Sequence, residues 1–254
     1  MIDTHTHLYF PEYGKEIDDV MQRCAQNGIS HFILPNVDEE SLPQMKDFHS
    51  RYPDITSMAI GLHPTEVKSD WKKVIEKVED ELKSGQYVAV GEIGMDLYWD
   101  KTYKSNQIEA FEKQLLLAEQ YKLPVIIHCR DALKETLEVI EKIKPTVPIV
   151  FHSFTNGPRE VKEIRKICNP YFGINGVVTY KNAPELREAL KEIGIDHILL
   201  ETDSPYLTPV PHRGKRNEST YISFVRDKIA ETLGLTKEET EQLTDRNTRS
   251  IFEI

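Results

Sequence analysis

Along this chain, short apolar runs rich in β-branched residues alternate with longer segments whose apolar positions recur every three or four residues. The short runs fall at residues 1–3, 31–35, 56–61, 87–91, 124–128, 148–152, 171–174 and 197–201, and each predicts a strand. Helical spacing fills the intervals, for instance at 104–121 and 132–143. Stop signals follow several of these segments, at Asn27-Gly28, Ser84-Gly85 and Lys144-Pro145. Regular strand–helix alternation predicts parallel strands joined by helical crossovers. Eight such strands in 254 residues predict an α/β fold, a (β/α)8 TIM barrel forming a single domain over 1–254, with additional C-terminal helices at 218–233 and 237–252. A doubly wound open sheet is the alternative. It usually has fewer strands and a glycine-rich phosphate loop, and neither GxGxxG nor a Walker loop is present.

Polar residues recur at the C-terminal ends of these runs. His5 and His7 follow the first, Glu92 the fourth, His128 the fifth, His152 the sixth and Asp203 the eighth. In a parallel barrel all those ends open onto one face, where barrel active sites are built. His5 and His7 lie two apart in an extended segment, so both point the same way with Thr6 turned aside. A lone HxH is a weak signal, and isolated histidines such as His31, His49 and His197 most often serve as hydrogen-bonded or surface residues. Six ligand-type residues at matching strand ends predict a metal site. Glu92 offers two oxygens and can bridge, and the set is large enough for two divalent ions roughly 3.5–4 Å apart. Imidazole and carboxylate together suit Zn²⁺, Mn²⁺ or Co²⁺ better than Mg²⁺, which stays a candidate.

Composition refines this only slightly. With 39% hydrophobic and 29% charged residues the chain is of ordinary globular type. Its net charge of −10 opposes long-range capture of nucleic acid, although an acidic centre filled with divalent metal escapes that objection. Cys24, Cys129 and Cys168 form no CxxC pair, which predicts a reducing, cytoplasmic setting. No secretory leader and no run of ~18 apolar residues is present, so no membrane association is expected, and nothing calls for an obligate protein partner.

Taken in order, the motifs are Asp3-Thr4-His5-Thr6-His7-Leu8, Gly61-Leu62-His63-Pro64, Gly91-Glu92-Ile93-Gly94-Met95-Asp96, His128-Cys129-Arg130-Asp131, His152-Ser153-Phe154 and Glu201-Thr202-Asp203-Ser204-Pro205-Tyr206-Leu207. Over its whole length the chain resembles the TatD family of metal-dependent deoxyribonucleases, a branch of the amidohydrolase-type barrels. The resemblance implies a two-metal barrel in which His5, His7, Glu92 and Asp203 hold one ion, and Glu92, His128 and His152 hold the other. Two positions depart from the family pattern: Met95 stands where leucine is usual, and Ser219 follows Asn217-Glu218 where proline is common. The second leaves the entry into the C-terminal helices open. No lysine lies between residues 88 and 98, which argues against barrels that bridge their metals with a carbamylated lysine on this strand.

The implied chemistry is attack of metal-acidified water on phosphorus. Asp203 is the candidate general base. Glu201 could assist or orient a ligand histidine, or form a buried ion pair; His63 could touch phosphate or help a leaving group, or simply shape its loop with Pro64. Arg130 and the basic run His212-Arg213-Gly214-Lys215-Arg216 are candidate phosphate contacts through Arg130, Arg213, Lys215 and Arg216. Tyr98, Trp99 and Tyr206 could stack on bases or pack the barrel rim. The leading expectation is therefore a deoxyribonuclease trimming single-stranded DNA from the 3′ end, a polarity implied by the resemblance alone. The alternative is an amide or ester hydrolase on the same centre, such as an aminoacyl-tRNA deacylase; a metal-binding scaffold without catalysis is a third.

Overall fold

A computed structural model describes residues 1–254. Eight strands form one all-parallel sheet in sequential order: β1 (Ile2–Asp3), β2 (His31–Pro35), β3 (Thr56–Ile60), β4 (Tyr87–Asp96), β5 (Val125–Arg130), β6 (Ile149–Phe151), β7 (Tyr171–Ile174) and β8 (Ile198–Leu200). The crossovers are helices α1 (Ile17–Gln26), α2 (Ser41–Arg51), α3 (Trp71–Leu82), α4 (Lys104–Tyr121), α5 (Leu133–Ile143), α6 (Pro158–Arg165) and α7 (Pro184–Ile193). Two more, α8 (Ile222–Leu233) and α9 (Lys237–Phe252), end the chain. Beyond the last strand the ring is drawn shut by backbone bonds from Thr4 to Leu200 (3.0 Å), His7 to Ser204 (2.8 Å) and Asp203 to His5 (2.9 Å). The protein is a (β/α)8 barrel, as the alternation predicts.

Alternation along each strand separates two apolar layers. Phe32 and Leu34 face the helices in the large outer core, while Ile33 joins Ala59, Ala89, Ile126, Val150 and Leu199 in a smaller cluster. Ile251 and Phe252 from α9 complete that inner cluster. The same helix ties down the first residues of the chain, since Ile2 N–H donates to Asp245 and Asn247 donates to the Ile195 and Ile198 carbonyls. α9 thus covers the N-terminal end of the barrel and leaves the opposite end for the polar residues. It is started by a reciprocal cap between Thr236 and Glu239.

Several boundaries differ from expectation. β4 does not stop at Gly91 but runs on to Asp96, because β5 also extends and keeps pairing, Gly94 with His128 and Asp96 with Arg130. At that crossing a Cβ on Gly94 would stand 2.2 Å from the His128 carbonyl oxygen, and its φ of +131° suits glycine. His152 lies just beyond β6 and His197 in a 3₁₀ turn before β8. The chain enters α8 through a 3₁₀ turn at Ser219–Tyr221, with the buried Ser219 hydroxyl donating to Thr6 Oγ1, a bond proline could not make.

Candidate metal centre

Glu92 is the buried hub of the open end, and its two oxygens face different neighbours. Oε2 lies 3.1 Å from His5 Nε2. Oε1 lies 2.8 Å from His128 Nδ1, 3.0 Å from His152 Nε2 and 3.2 Å from His63 Nε2. Asp203 closes the first side, with Oδ1 3.6 Å from His7 Nε2 and 3.8 Å from His5 Nε2. Backbone bonds hold these donors in place: Glu92 N–H donates to Asn36, His152 N–H to Ile127, and Asp203 N–H to His5. Ligand atoms converge within 4.8 Å in three groups that could hold a cation, His5–His7–Glu92, His63–Glu92–His128 and His5–His152–Glu201.

The electrostatics of the cluster fit a cation. Burial pushes the Glu92 carboxyl up, yet the imidazoles of His152, His63 and His5 outweigh it and hold Glu92 well below the usual range. Asp203 is likewise held down, burial being overcome by His7, His152 and His5. Burial and neighbouring imidazoles keep His5 and His63 below the ordinary imidazole value. His128 and His152 move up, because their carboxylate neighbours prevail over burial. Both ring nitrogens of His5 are buried with no hydrogen-bond partner, as are His152 Nδ1 and Glu201 Oε2. Leaving one such atom unpaired costs about 1–3 kcal/mol, and a divalent ion between His5 and Glu92 would remove part of that penalty.

Behind the ligand atoms stands a set of orienting groups. Tyr9 O–H donates to the Pro35 carbonyl, so toward His7 Nδ1, 3.1 Å away, it can only accept. His7 therefore carries its hydrogen on Nδ1 and turns the Nε2 lone pair inward. Glu201 Oε1 accepts the Ser153 N–H at 2.6 Å and stands 3.4 Å from His152 Nδ1. Asp96 Oδ2 lies 2.9 Å from His128 Nε2. Three residues here adopt left-handed backbone: Asp131 (φ 52°) just past β5, Ser153 (φ 48°) next to His152, and the site carboxylate Asp203 (φ 55°) itself. Non-glycine residues of this kind cluster at working sites.

The model of the family described as TatD related DNase matches residues 2–253. This chain belongs to the TatD family. It is 34% identical over 255 residues to the uncharacterized metal-dependent hydrolase YabD of Bacillus subtilis, covering 100% of this chain and 99% of that one. It is 31% identical over 262 residues to the 3′-5′ ssDNA/RNA exonuclease TatD of Salmonella typhimurium, covering 100% and 99%. Among solved structures, the TatD homologue YjjV of Escherichia coli K12 superposes with a TM-score of 0.93 at 27% identity, covering 100% and 98%. The protein is thus a metal-dependent hydrolase of the TatD family, and the buried histidine–carboxylate cluster is able to hold metal.

For this TatD barrel the residues expected from sequence divide into two sets. His5, His7, Glu92, His128, His152 and Asp203 converge around one centre, and His63 lies beside them, its Nε2 3.2 Å from Glu92 and its Nδ1 bonded to Thr65 of its own loop. Glu201 lies on the Nδ1 side of His152, whose Nε2 faces Glu92. The expected substrate contacts are more scattered. The Arg130 guanidinium sits 3.8 Å above the Tyr98 ring and 5.3 Å from Trp99, and both aromatics are exposed, Trp99 by 69%. Tyr206 is also exposed. Arg213 lies over Tyr180 at 4.4 Å, whereas Arg216 donates to the Glu12 carbonyl and the Glu16 carboxylate and covers Tyr13. Lys215 is exposed. Sequence reasoning misses Asp96 and Tyr9; the last position of the GExGxD motif is the available signal for the first. His31, His49 and His197 make ordinary hydrogen bonds, to Ser57, Thr56 and the Pro170 carbonyl.

Proposed function

We propose that the chain is a phosphodiesterase that uses two divalent ions to remove nucleotides from the 3′ ends of single-stranded DNA. The observation that carries the hydrolytic part is the division of the Glu92 oxygens between two sets of imidazoles. His5, His7, Glu92 and Asp203 would hold one ion; Glu92, His128 and His152, joined by His63, would hold the other. Bound there, Zn²⁺, Mn²⁺, Co²⁺ or Mg²⁺ supplies Lewis-acid polarisation of a phosphoryl oxygen and makes water more acidic.

The chain's own residues do the rest. Asp203 accepts the proton of the attacking water: it is the most accessible carboxylate of the centre, at 16% side-chain exposure against 4% for Glu92 and 1% for Glu201, and its neighbours keep it ionised. Glu201 orients His152. Arg130, Tyr98 and Trp99 offer a guanidinium for phosphate and flat faces for bases, beside the His128 end of the centre. Arg213 and Lys215 contribute positive charge on the loop after β8. The Salmonella relative's description supports a nucleic-acid substrate and the 3′ polarity. The three free thiols, Cys24, Cys129 and Cys168, fit a cytoplasmic setting.

The test is to strip the protein with EDTA, then add Mn²⁺, Mg²⁺ or Zn²⁺ with 5′-labelled single-stranded DNA. A ladder shortening from the 3′ end only when metal returns is the expected result. No metal-restored cleavage would sink the nuclease reading, and hydrolysis of aminoacyl esters in its place would move the activity to carbonyl chemistry.

A further inference from the structure

Asp96 lies one imidazole away from Glu92 and has no assigned part in the centre. Its carboxylate is almost fully buried at the end of β4 and is used on both sides. Oδ1 accepts the backbone N–H groups of Tyr98 (2.9 Å) and Trp99 (3.2 Å), fixing the turn that carries the exposed aromatic pair. Oδ2 lies 2.9 Å from His128 Nε2, while His128 Nδ1 faces Glu92 Oε1 at 2.8 Å. Asp96 is itself held by Gln107 on α4, whose amide bonds both the backbone N–H and the carbonyl of residue 96. The carboxylate therefore cannot swing away without breaking several bonds.

A histidine can offer one nitrogen to a cation only if that nitrogen carries no hydrogen, and the other nitrogen's partner decides which is bare. An ionised carboxylate accepts and never donates, so Asp96 requires a hydrogen on His128 Nε2. That leaves Nδ1, the nitrogen aimed at Glu92, free to bind metal. We infer that Asp96 is a positioning residue that sets the tautomer of His128 and thereby determines how tightly the His63–His128–His152 side of the centre holds its ion. Tyr9 does the equivalent for His7 on the other side. The inference rests on the two-ion reading above.

Asp96→Asn is the discriminating change. The substitution keeps the shape of the side chain, and the amide oxygen can still accept from Tyr98 and Trp99. The amide N–H₂ group then faces His128 Nε2, which must accept, and the hydrogen moves to Nδ1 where it blocks the metal. The readout is metal bound per chain across a series of free Zn²⁺ concentrations in equilibrium dialysis, with no substrate involved. Wild type is expected to bind two ions. Asp96→Asn should bind the first normally and the second roughly 10–100-fold more weakly, the usual cost of losing such a partner. Tyr9→Phe should weaken only the first. General loosening of the barrel would weaken both ions in both variants, and that pattern, or wild-type affinity for both ions in Asp96→Asn, overturns the inference. In the unmutated Zn²⁺-loaded protein, ¹⁵N NMR should find the His128 hydrogen on Nε2; a hydrogen on Nδ1 overturns it independently of any variant. A wild type that binds a single ion contradicts the two-ion reading itself.

Discussion

Gly173→Ala adds one methyl group to β7, and the structure specifies where it goes. Its Cβ would stand 2.0 Å from Glu201 Oε2 and 2.6 Å from Glu201 Cδ, so the carboxylate must withdraw. Glu201 Oε1 currently accepts the Ser153 N–H at 2.6 Å and neighbours His152 Nδ1. Forced overpacking costs ~1–3 kcal/mol, and a lost hydrogen bond to a charged group ~1.5–3 kcal/mol. The reduced freedom of the unfolded chain returns ~0.4–1 kcal/mol. The net loss is about 3 kcal/mol, or roughly 6–12 °C in melting temperature for a chain of this size. Thermal unfolding of metal-free protein measures it, in a double-mutant cycle with Glu201→Ala. Removing the Glu201 carboxylate opens the space, so the glycine substitution should then cost less than about 1 kcal/mol. Equal penalties in the two backgrounds would refute the steric reasoning, as would a single variant as stable as wild type.

Four further outcomes follow from the same geometry. His128→Asn should reduce turnover by at least about 10³-fold while circular dichroism stays native; full activity would remove His128 from the metal-holding set. His31, held down to about 4 by burial, Arg249 and His49, refuses a proton that the unfolded chain takes up below about 6.5. Stability should therefore fall as pH drops from about 6.5 to 4, and His31→Gln should flatten that slope by roughly 1–2 kcal/mol, solvent screening the rest at this part-exposed ring; identical pH profiles would contradict this. Arg213→Ala should raise KM on long DNA several-fold and reduce the salt slope by about 1, with little effect on a small chromogenic phosphodiester. Arg216→Ala should instead lower stability, because its guanidinium holds Glu12 and Glu16.

Much of the centre is legible in the sequence because period-two and strand-end logic do not depend on long-range contacts. The shared direction of His5 and His7 follows from alternation, and parallel strands bring Glu92, His128, His152 and Asp203 to the same end. α4 and α9 have the expected limits, Lys104–Tyr121 and Lys237–Phe252. The end of β4 is not legible, because Gly91 and Gly94 resemble strand breakers. Glycine at 94 instead permits close approach to the β5 backbone, and that approach needs the partner strand to be visible. Asp96 escapes for the same reason: it reaches His128 across 32 residues only through this register. Tyr9 is a case of hydrogen-bond direction, which emerges once the Pro35 carbonyl is known to take its hydrogen. The division of the basic residues, with Arg216 holding a loop and Arg130 lying on Tyr98, depends on local packing that no spacing rule encodes.

In the proposed two-ion centre, Glu92 would stand between both cations, one on the His5 side and one on the His128 side. Anomalous diffraction at the zinc or manganese edge, from crystals grown in that metal, tests it most directly. Two peaks are expected, one among His5, His7 and Asp203 and one among His63, His128 and His152, both in contact with Glu92. A single peak, or two peaks of which one does not touch Glu92, would contradict it.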